Sequence, residues 1–203
     1  MGKLTEIYPA PASNSIKETL IGVADGRSVT VSSGTYTFET VSSVLTLSTS
    51  YKDITGSSIT YTPPEGTKYV YYKFSYKSSS APVNYGSSGI HHLKLFLDGT
   101  DVYRAHKSNA GNYSGSHSNY HASFTNFIEY VFDLTAGSDD YGQGKLSGWT
   151  TGKVIKCQAR DYSSPYYQAD IHRNHWEDGT SASGEEVYTK PTIKIIAYSW
   201  WVN

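Results

Sequence analysis

Apolar and polar residues alternate in short segments along most of the chain from residue 28 onward. The clearest segment, TKYVYYKFSYK, places Val70, Tyr72 and Phe74 on one side and Tyr69 and Tyr71 on the other. Side chains of a β-strand alternate between its two faces, so this pattern predicts a strand with one buried apolar face. The second face carries tyrosine rings, which suit a partly hydrated contact with another strand, subunit or ligand.

Further alternating segments are separated by residues typical of turns, and together they predict many short strands. The predicted strands are residues 28–32, 35–40, 44–48, 57–62, 67–77, 91–97, 101–105, 123–134, 153–161, 166–173 and 192–198. This spacing predicts an all-β fold, specifically a jelly-roll-like antiparallel β-sandwich. The predicted inward residues are Val70, Tyr72, Phe74, Leu93, Leu95, Leu97, Ile128, Tyr130, Phe132, Leu134, Ile155, Cys157, Ala159, Ile193, Ile195 and Ala197.

Two turns have clear chemical signatures. Asp98 and Gly99, in FLDGTDVYRA, form the dipeptide that a two-residue hairpin turn needs. Pro63 and Pro64 in TPPEGTK cannot donate ladder hydrogen bonds, and Gly66 can adopt a left-handed conformation. Both segments are therefore predicted to end one strand and begin the next.

The length of 203 residues is suited to a single domain of this class. Residues 1–25 are predicted to form an extended N-terminal arm, because Pro9 and Pro11 disfavour helix and apolar residues are few. Its second half could hold a short helical turn or another strand. Residues 26–203 are predicted to form the β-sandwich, and the arm would pack between subunits or attach the protein to a larger assembly.

Charge and hydropathy exclude two classes of partner. The formal net charge is -1 and no long run of one sign occurs, which removes the electrostatic basis for nucleic-acid binding. No stretch approaches the roughly 20 apolar residues of a membrane span, and the N-terminus lacks a signal-peptide core. The single cysteine, Cys157, lies at a predicted inward position and excludes an internal disulfide.

The sequence contains no catalytic or metal-binding signature. His172 and His175 are three residues apart, a spacing that directs the two rings of a strand to opposite faces. There is no nucleophile elbow, no phosphate-binding loop and no carboxylate pair in a catalytic context. We therefore expect no enzymatic activity, no cofactor and no metal.

Aromatic, serine-rich loops are the candidates for binding, because rigid amphipathic rings beside small polar residues are typical of recognition surfaces. The candidate ligand- or receptor-contact residues are Tyr113, His117, Tyr120, Tyr162, Tyr166, Tyr167, His175 and Trp176. Tyrosine on an outer sheet face and tryptophan in a chain tail also suit subunit contact. The candidate oligomer contacts are Tyr69, Tyr71, Trp200 and Trp201.

Several segments resemble a known family when their order and spacing are taken together. They are ETLIGVADGRSVTVSSGTYTFETV, YKDITGSSITYTPPEGTKYVYYKF, HHLKLFLDG, GKLSGWTTGKVIKCQAR, IHRNHWEDG and PTIKIIA. In these segments the chain resembles short virion structural proteins of marine tailed phages, cyanophages especially. The resemblance implies a β-rich particle component, such as a fibre, knob or capsid-attached protein, and brings no catalytic residue. The loops 78–89 and 106–122 and the tail YSWWVN depart from it.

The prediction from sequence is therefore a phage virion structural protein, an oligomeric appendage that can contact the host surface. We expect a homo-oligomer, specifically a trimer, in contact with other virion proteins and with a host surface glycan or protein. One alternative is a capsid decoration or cement protein that stabilises the shell. A second alternative, from another class, is a carbohydrate-binding module or glycan hydrolase.

Overall fold

A computed structural model describes residues 16–80, 89–109, 123–163, 167–174, 176–177, 180–181 and 183–199. In these ranges the regular structure is sixteen strands and three short 3-10 turns. The strands are β1 Ile16–Val23, β2 Ser28–Val31, β3 Gly34–Thr37, β4 Leu45–Thr46, β5 Lys52–Asp53, β6 Ile59–Tyr61, β7 Tyr69–Ser80, β8 His91–Leu97, β9 Thr100–Asp101, β10 Lys107–Asn109, β11 Ser123–Asp133, β12 Lys153–Asp161, β13 Ala169–Ile171, β14 Trp176–Glu177, β15 Thr180–Ser181 and β16 Thr192–Tyr198. The turns are Tyr103–Ala105, Tyr141–Gln143 and Gly184–Val187.

Two main sheets are built around long central strands. In sheet 1, β7 pairs along its length with β11 on one side, and on the other side with β16 and then β13. Strand β1 extends this sheet beyond β16, and β4 extends it beyond β13. In sheet 2, β8 lies between β12 and the short strands β9 and β10, and β12 pairs outward with β5 and β6. Every ladder between named strands is antiparallel.

The core lies between these two sheets. Phe74 and Ile128 face each other across β7 and β11, and Leu95 faces Cys157 across β8 and β12; all four are at most 1% exposed. The buried Tyr72 hydroxyl donates to the Ser57 carbonyl at 2.7 Å, so its polar end is satisfied inside the core. The predicted all-β antiparallel sandwich is confirmed.

The two predicted turns are present. Asp98 and Gly99 have φ angles of 48° and 79°, and Phe96 pairs with Asp101 across the resulting hairpin. These are the two positive φ angles that a type I′ turn requires. Gly66 has a φ of 74° in the second turn, where a residue with a Cβ atom would be strained.

The predicted strand over residues 101–105 is wrong. The strand ends at Asp101, and Tyr103–Ala105 forms a 3-10 turn. Val102 is fully buried and its amide donates to the Leu95 carbonyl at 2.8 Å, which ties the chain to β8 as it bends. The alternation in the sequence indicates that Val102 is buried. It does not indicate that the chain bends at this position instead of continuing as a strand.

The segment Ile16–Val23, which was included in the predicted arm, is a strand of sheet 1 that pairs with Thr192–Tyr198. Leu20 is fully buried, and a Cβ atom added at Gly22 would lie 2.0 Å from the Phe38 ring, so this strand packs closely against the segment that follows β3. Residues 1–15 lie outside the described ranges.

A buried carboxylate closes the β2–β3 hairpin onto β1. Glu18 is 6% exposed and accepts hydrogen bonds from the Ser33 amide at 2.7 Å and from the Tyr61 hydroxyl at 2.9 Å. The side chains of Ser32 and Ser33 also donate to it, at 2.5 and 2.7 Å. Burial acts to raise the pKa of Glu18, but these hydrogen bonds outweigh it and lower the pKa.

Candidate ligand-binding face

Two of the predicted contact residues, Tyr162 and Tyr167, lie together at one end of sheet 2. Their ring centroids are 5.3 Å apart and the rings are nearly perpendicular, at 86°. Tyr162 follows β12 directly, and its amide donates to the Ile90 carbonyl at 3.1 Å. This bond holds the backbone of Tyr162 at the sheet end, and the residue is 54% exposed.

The outer face of sheet 2 continues this aromatic pair. Arg160 is paired with His92 across β12 and β8, and His92 is paired with Ser108 across β8 and β10. Directly paired residues project from the same face of a sheet, and the inward neighbours Leu93 and Ala159 are buried. We call the following outward residues the basic aromatic face: Tyr51, His92, Lys94, Arg160, Tyr162 and Tyr167.

Cations at this face are positioned by the Tyr51 ring. The Lys94 ammonium lies 5.0 Å from the ring centroid and the Arg160 guanidinium carbon 5.4 Å. These distances are within the range of cation–π attraction. Lys94 also forms an ion pair with Asp101 at 2.6 Å, whereas Arg160 has no carboxylate within salt-bridge distance among the described residues.

His92 is a titratable residue of the face that is uncharged at neutral pH. Its Nδ1 is 2.6 Å from the Ser108 hydroxyl, and its ring centroid is 5.9 Å from that of Tyr162. Burial, with a smaller contribution from the charge of Arg160, lowers the pKa of His92 below its ordinary value. At neutral pH the charge of this face therefore comes from its lysine and arginine.

Sheet 1 has a second face that contains tyrosine, on the side away from the core. We call the following residues the outer tyrosine face: Tyr69, Tyr71, Val131, Ile196 and Tyr198. Cross-strand pairing places Tyr71 between Val131 and Ile196, and Tyr69 beside Tyr198. The Tyr71 hydroxyl donates to Glu129 at 2.5 Å. The predicted oligomer contacts Tyr69 and Tyr71 thus lie on one face, opposite the core.

The remaining predicted contact residues lie outside the described ranges, apart from the backbone of Trp176. Trp176 contributes its backbone to β14, which pairs with β15. Outside the described residues lie Tyr113, His117, Tyr120, Tyr166, His175, Trp200 and Trp201.

The buried histidine His91 and the single cysteine have structural roles. His91 is buried, with its Nε2 2.8 Å from the Tyr76 hydroxyl and its Nδ1 2.9 Å from the Gly89 carbonyl. Burial raises the pKa of the Cys157 thiol to about 12, so it is protonated and unreactive at neutral pH. Across the described ranges, no group of three or more His, Cys, Asp or Glu side chains could hold a metal ion.

Sequence reasoning did not identify Tyr51, His92, Lys94 or Arg160 as site residues. The alternation in HHLKLFL and KVIKCQAR, which predicted the inward residues, also indicates that His92, Lys94 and Arg160 point outward. The pairing of Arg160 with His92 depends on the register between β8 and β12, which alternation alone does not specify.

Comparisons with known proteins leave the family of this chain open. No family model matches the chain, and no curated protein matches it. One similar solved structure is that of infectious bursal disease virus Gx strain, with 9% sequence identity and a TM-score of 0.24. The alignment covers 91% of this chain and 36% of the viral chain, so this chain spans about a third of the length of that protein. In the ranges that the structure describes, no helix is long and apolar enough to cross a bilayer.

Proposed function

We propose that the chain is a structural protein of a tailed-phage particle, displayed as a homo-oligomer in a fibre- or knob-type appendage that contacts the host surface. The segments that resemble marine phage virion proteins contribute strands β1 to β3, β5 to β8, β12, β14 and β16, which include the central strands of both sheets. The resemblance therefore extends over most of the framework of the sandwich.

The observation that carries the proposal is the outer tyrosine face. The sandwich already has a core between its sheets, yet β7 presents Tyr69 and Tyr71 on the opposite side, beside Val131 and Ile196. Aromatic residues, including tyrosine, are enriched in subunit interfaces relative to the rest of the protein surface. In our proposal this face packs against another copy of the chain, as a trimer, and the protein supports adhesion and architecture rather than catalysis.

Light scattering on the purified full-length chain tests the oligomer. We expect a mass about three times the 22.4 kDa of one chain. The double variant Tyr69→Ser/Tyr71→Ser should lower this mass, because it removes two rings from the proposed interface. The control is Tyr103→Ser, which removes a ring that is 48% exposed but lies outside both faces. A monomeric wild-type chain would contradict the oligomer.

Adsorption of the encoding phage tests the appendage. Purified chain added in excess should compete with the phage for host cells, and gold-labelled antibodies should bind at the tail of intact particles. Label distributed over the capsid, with adsorption unaffected by the added chain, would instead favour the decoration protein. Particles without label would contradict a virion role altogether.

A further inference from the structure

We propose that the basic aromatic face binds an anionic polysaccharide, with Arg160 binding an acidic group and Tyr162 stacking on a sugar ring. This inference rests on the proposed function, because it gives the chemical class of the surface that the appendage would contact. The two residues lie two positions apart on one face of the chain, so their α-carbons are about 7 Å apart. One oligosaccharide can therefore contact both.

The charges of the face favour an anion. The lysine of the face is already paired, Lys94 with Asp101 at 2.6 Å, and so is its neighbour Lys156 on the same side of sheet 2, with Asp53 at 3.0 Å. Arg160 differs from these lysines because it is not paired with a carboxylate among the described residues. Its guanidinium donates a hydrogen bond to the Asp161 backbone carbonyl, at 3.2 Å. One guanidinium thus carries the excess positive charge of the face.

A guanidinium group is well suited to bind one carboxylate or sulfate. Its planar fork can donate two parallel hydrogen bonds to the two oxygens of such a group. The Tyr51 ring, 5.4 Å from the guanidinium carbon, restrains the fork on the sheet surface. Because Arg160 is held before a ligand arrives, less side-chain entropy is lost on binding.

Tyr162 supplies an apolar platform beside this group. The residue is 54% exposed, and Tyr167 and His92 support its ring at centroid distances of 5.3 and 5.9 Å. A supported ring offers large contact area at low entropic cost, with a hydroxyl at its edge for polar contacts. This combination fits the apolar face of a sugar ring and its surrounding hydroxyl groups.

A polysaccharide fits this face better than a nucleic acid. Nucleic-acid affinity depends on several cations along a phosphate backbone, whereas the chain has a net charge of -1. Asp53 and Asp101 also lie on this side of sheet 2, where they would repel a continuous row of phosphates. A single unpaired arginine suits an acidic group on one sugar residue.

Calorimetric titration of the full-length chain tests the inference. The probes are a hyaluronan hexasaccharide, in which uronate residues with one carboxylate each alternate with neutral sugars, and maltohexaose, which is neutral. We expect the uronate to bind more tightly, with an affinity that falls as NaCl is raised from 50 to 300 mM. The Arg160→Gln variant should bind it about 10-fold or more weakly, because a charge-assisted hydrogen bond is lost.

Matched variants identify the residues that matter. Tyr162→Ala should also weaken uronate binding, whereas Tyr103→Ala and Arg27→Gln should not, since both change exposed residues outside the face. Arg160→Lys keeps the charge and loses the fork, so its affinity should lie between those of wild type and Arg160→Gln. Circular dichroism identifies any variant that fails to fold. If Arg160→Gln does not fold, the affinity of Arg160→Lys and the salt dependence of the wild type test the role of Arg160 instead.

Three results would overturn the inference: equal binding of both hexasaccharides or of neither, unchanged uronate binding by Arg160→Gln, or tighter binding of the oligonucleotide (dT)10. These results are independent of those for the proposed function. A chain found on the phage tail that binds no uronate would refute only the ligand class. Binding of uronate by a chain absent from particles would refute only the virion role.

Discussion

Asp161, at the end of β12, is a buried carboxylate whose ionisation should destabilise the fold. It is fully buried; its Oδ1 accepts a hydrogen bond from the Ala169 amide at 2.9 Å, and its Oδ2 has no partner among the described residues. Burial raises the pKa of Asp161 from 3.8 to about 6, the charge of Asp170 adds to this, and Lys52 opposes it. Relative to the unfolded chain, the folded chain therefore favours the protonated form of Asp161.

The sign of the pH dependence follows from this pKa. The folded chain holds the proton more tightly than the unfolded chain, so the destabilisation is absent well below pH 3.8, grows as pH rises, and is complete above about pH 6. A difference of about two pKa units corresponds to about 3 kcal/mol in the free energy of unfolding at pH 8, and about half of that at pH 5.

Asp161→Asn tests this reasoning. The amide keeps an oxygen for the Ala169 amide and cannot ionise, so the variant should be more stable than wild type by up to about 3 kcal/mol at pH 8 and by less at pH 5. Urea unfolding of both proteins at the two pH values measures the difference, and other titrating groups cancel in it. A gain independent of pH, or a variant less stable than wild type at pH 8, would refute the argument.

The remaining predictions concern packing, a buried network and reactivity. Glu18→Ala should lower the free energy of unfolding by about 2–4 kcal/mol, because it leaves buried hydrogen-bond donors without an acceptor. Urea titration measures this loss, and a loss under about 0.5 kcal/mol, which is typical of an ordinary surface position, would contradict the prediction. Gly22→Ala should lower the melting temperature, since a Cβ atom would lie 2.0 Å from the Phe38 ring, whereas Gly137→Ala, with open space around it, should not. Cys157, with a pKa of about 12, should react with a thiol reagent at pH 7.5 only on unfolding; rapid labelling of the folded chain would show that it is accessible.

The two outer faces lie on opposite sides of the sandwich. The outer tyrosine face belongs to sheet 1 and the basic aromatic face to sheet 2, and packed sheets are separated by about 10 Å. In the proposed appendage, subunit contact through sheet 1 therefore leaves sheet 2 available to the host surface. This arrangement follows from the alternation within β7, β8 and β12, each of which has one face in the core.

The fold was predictable from the sequence where alternation is strict. His91–Leu97 and Lys153–Asp161 were predicted with the observed bounds, and their inward residues are buried. The pairing of β8 with β12 was not predictable, because alternation specifies the face of each side chain and not the partner strand or the register. Strand β1 was assigned to the arm because apolar residues are few there, and its sequence was also compatible with a helical turn. The structure shows a strand in which the buried Glu18 is hydrogen-bonded and Gly22 lies against the Phe38 ring.

The candidate site was predictable only in part, because alternation does not specify which strands pair or in what register. Tyr162 and Tyr167 were singled out by composition, and the structure brings them together. Arg160 and His92 come from strands that are far apart in the sequence, and they meet only through the register of sheet 2. Cross-strand pairing, rather than any local motif, assembles the face.

An electron cryomicroscopy map of particles of the encoding phage is the most direct test of the proposed role. The account predicts three copies of this sandwich around a symmetry axis of a tail appendage, with Tyr69 and Tyr71 at the subunit contacts and Arg160 facing outward. Particles that lack the chain, or copies whose outer tyrosine face is fully solvated, would contradict it.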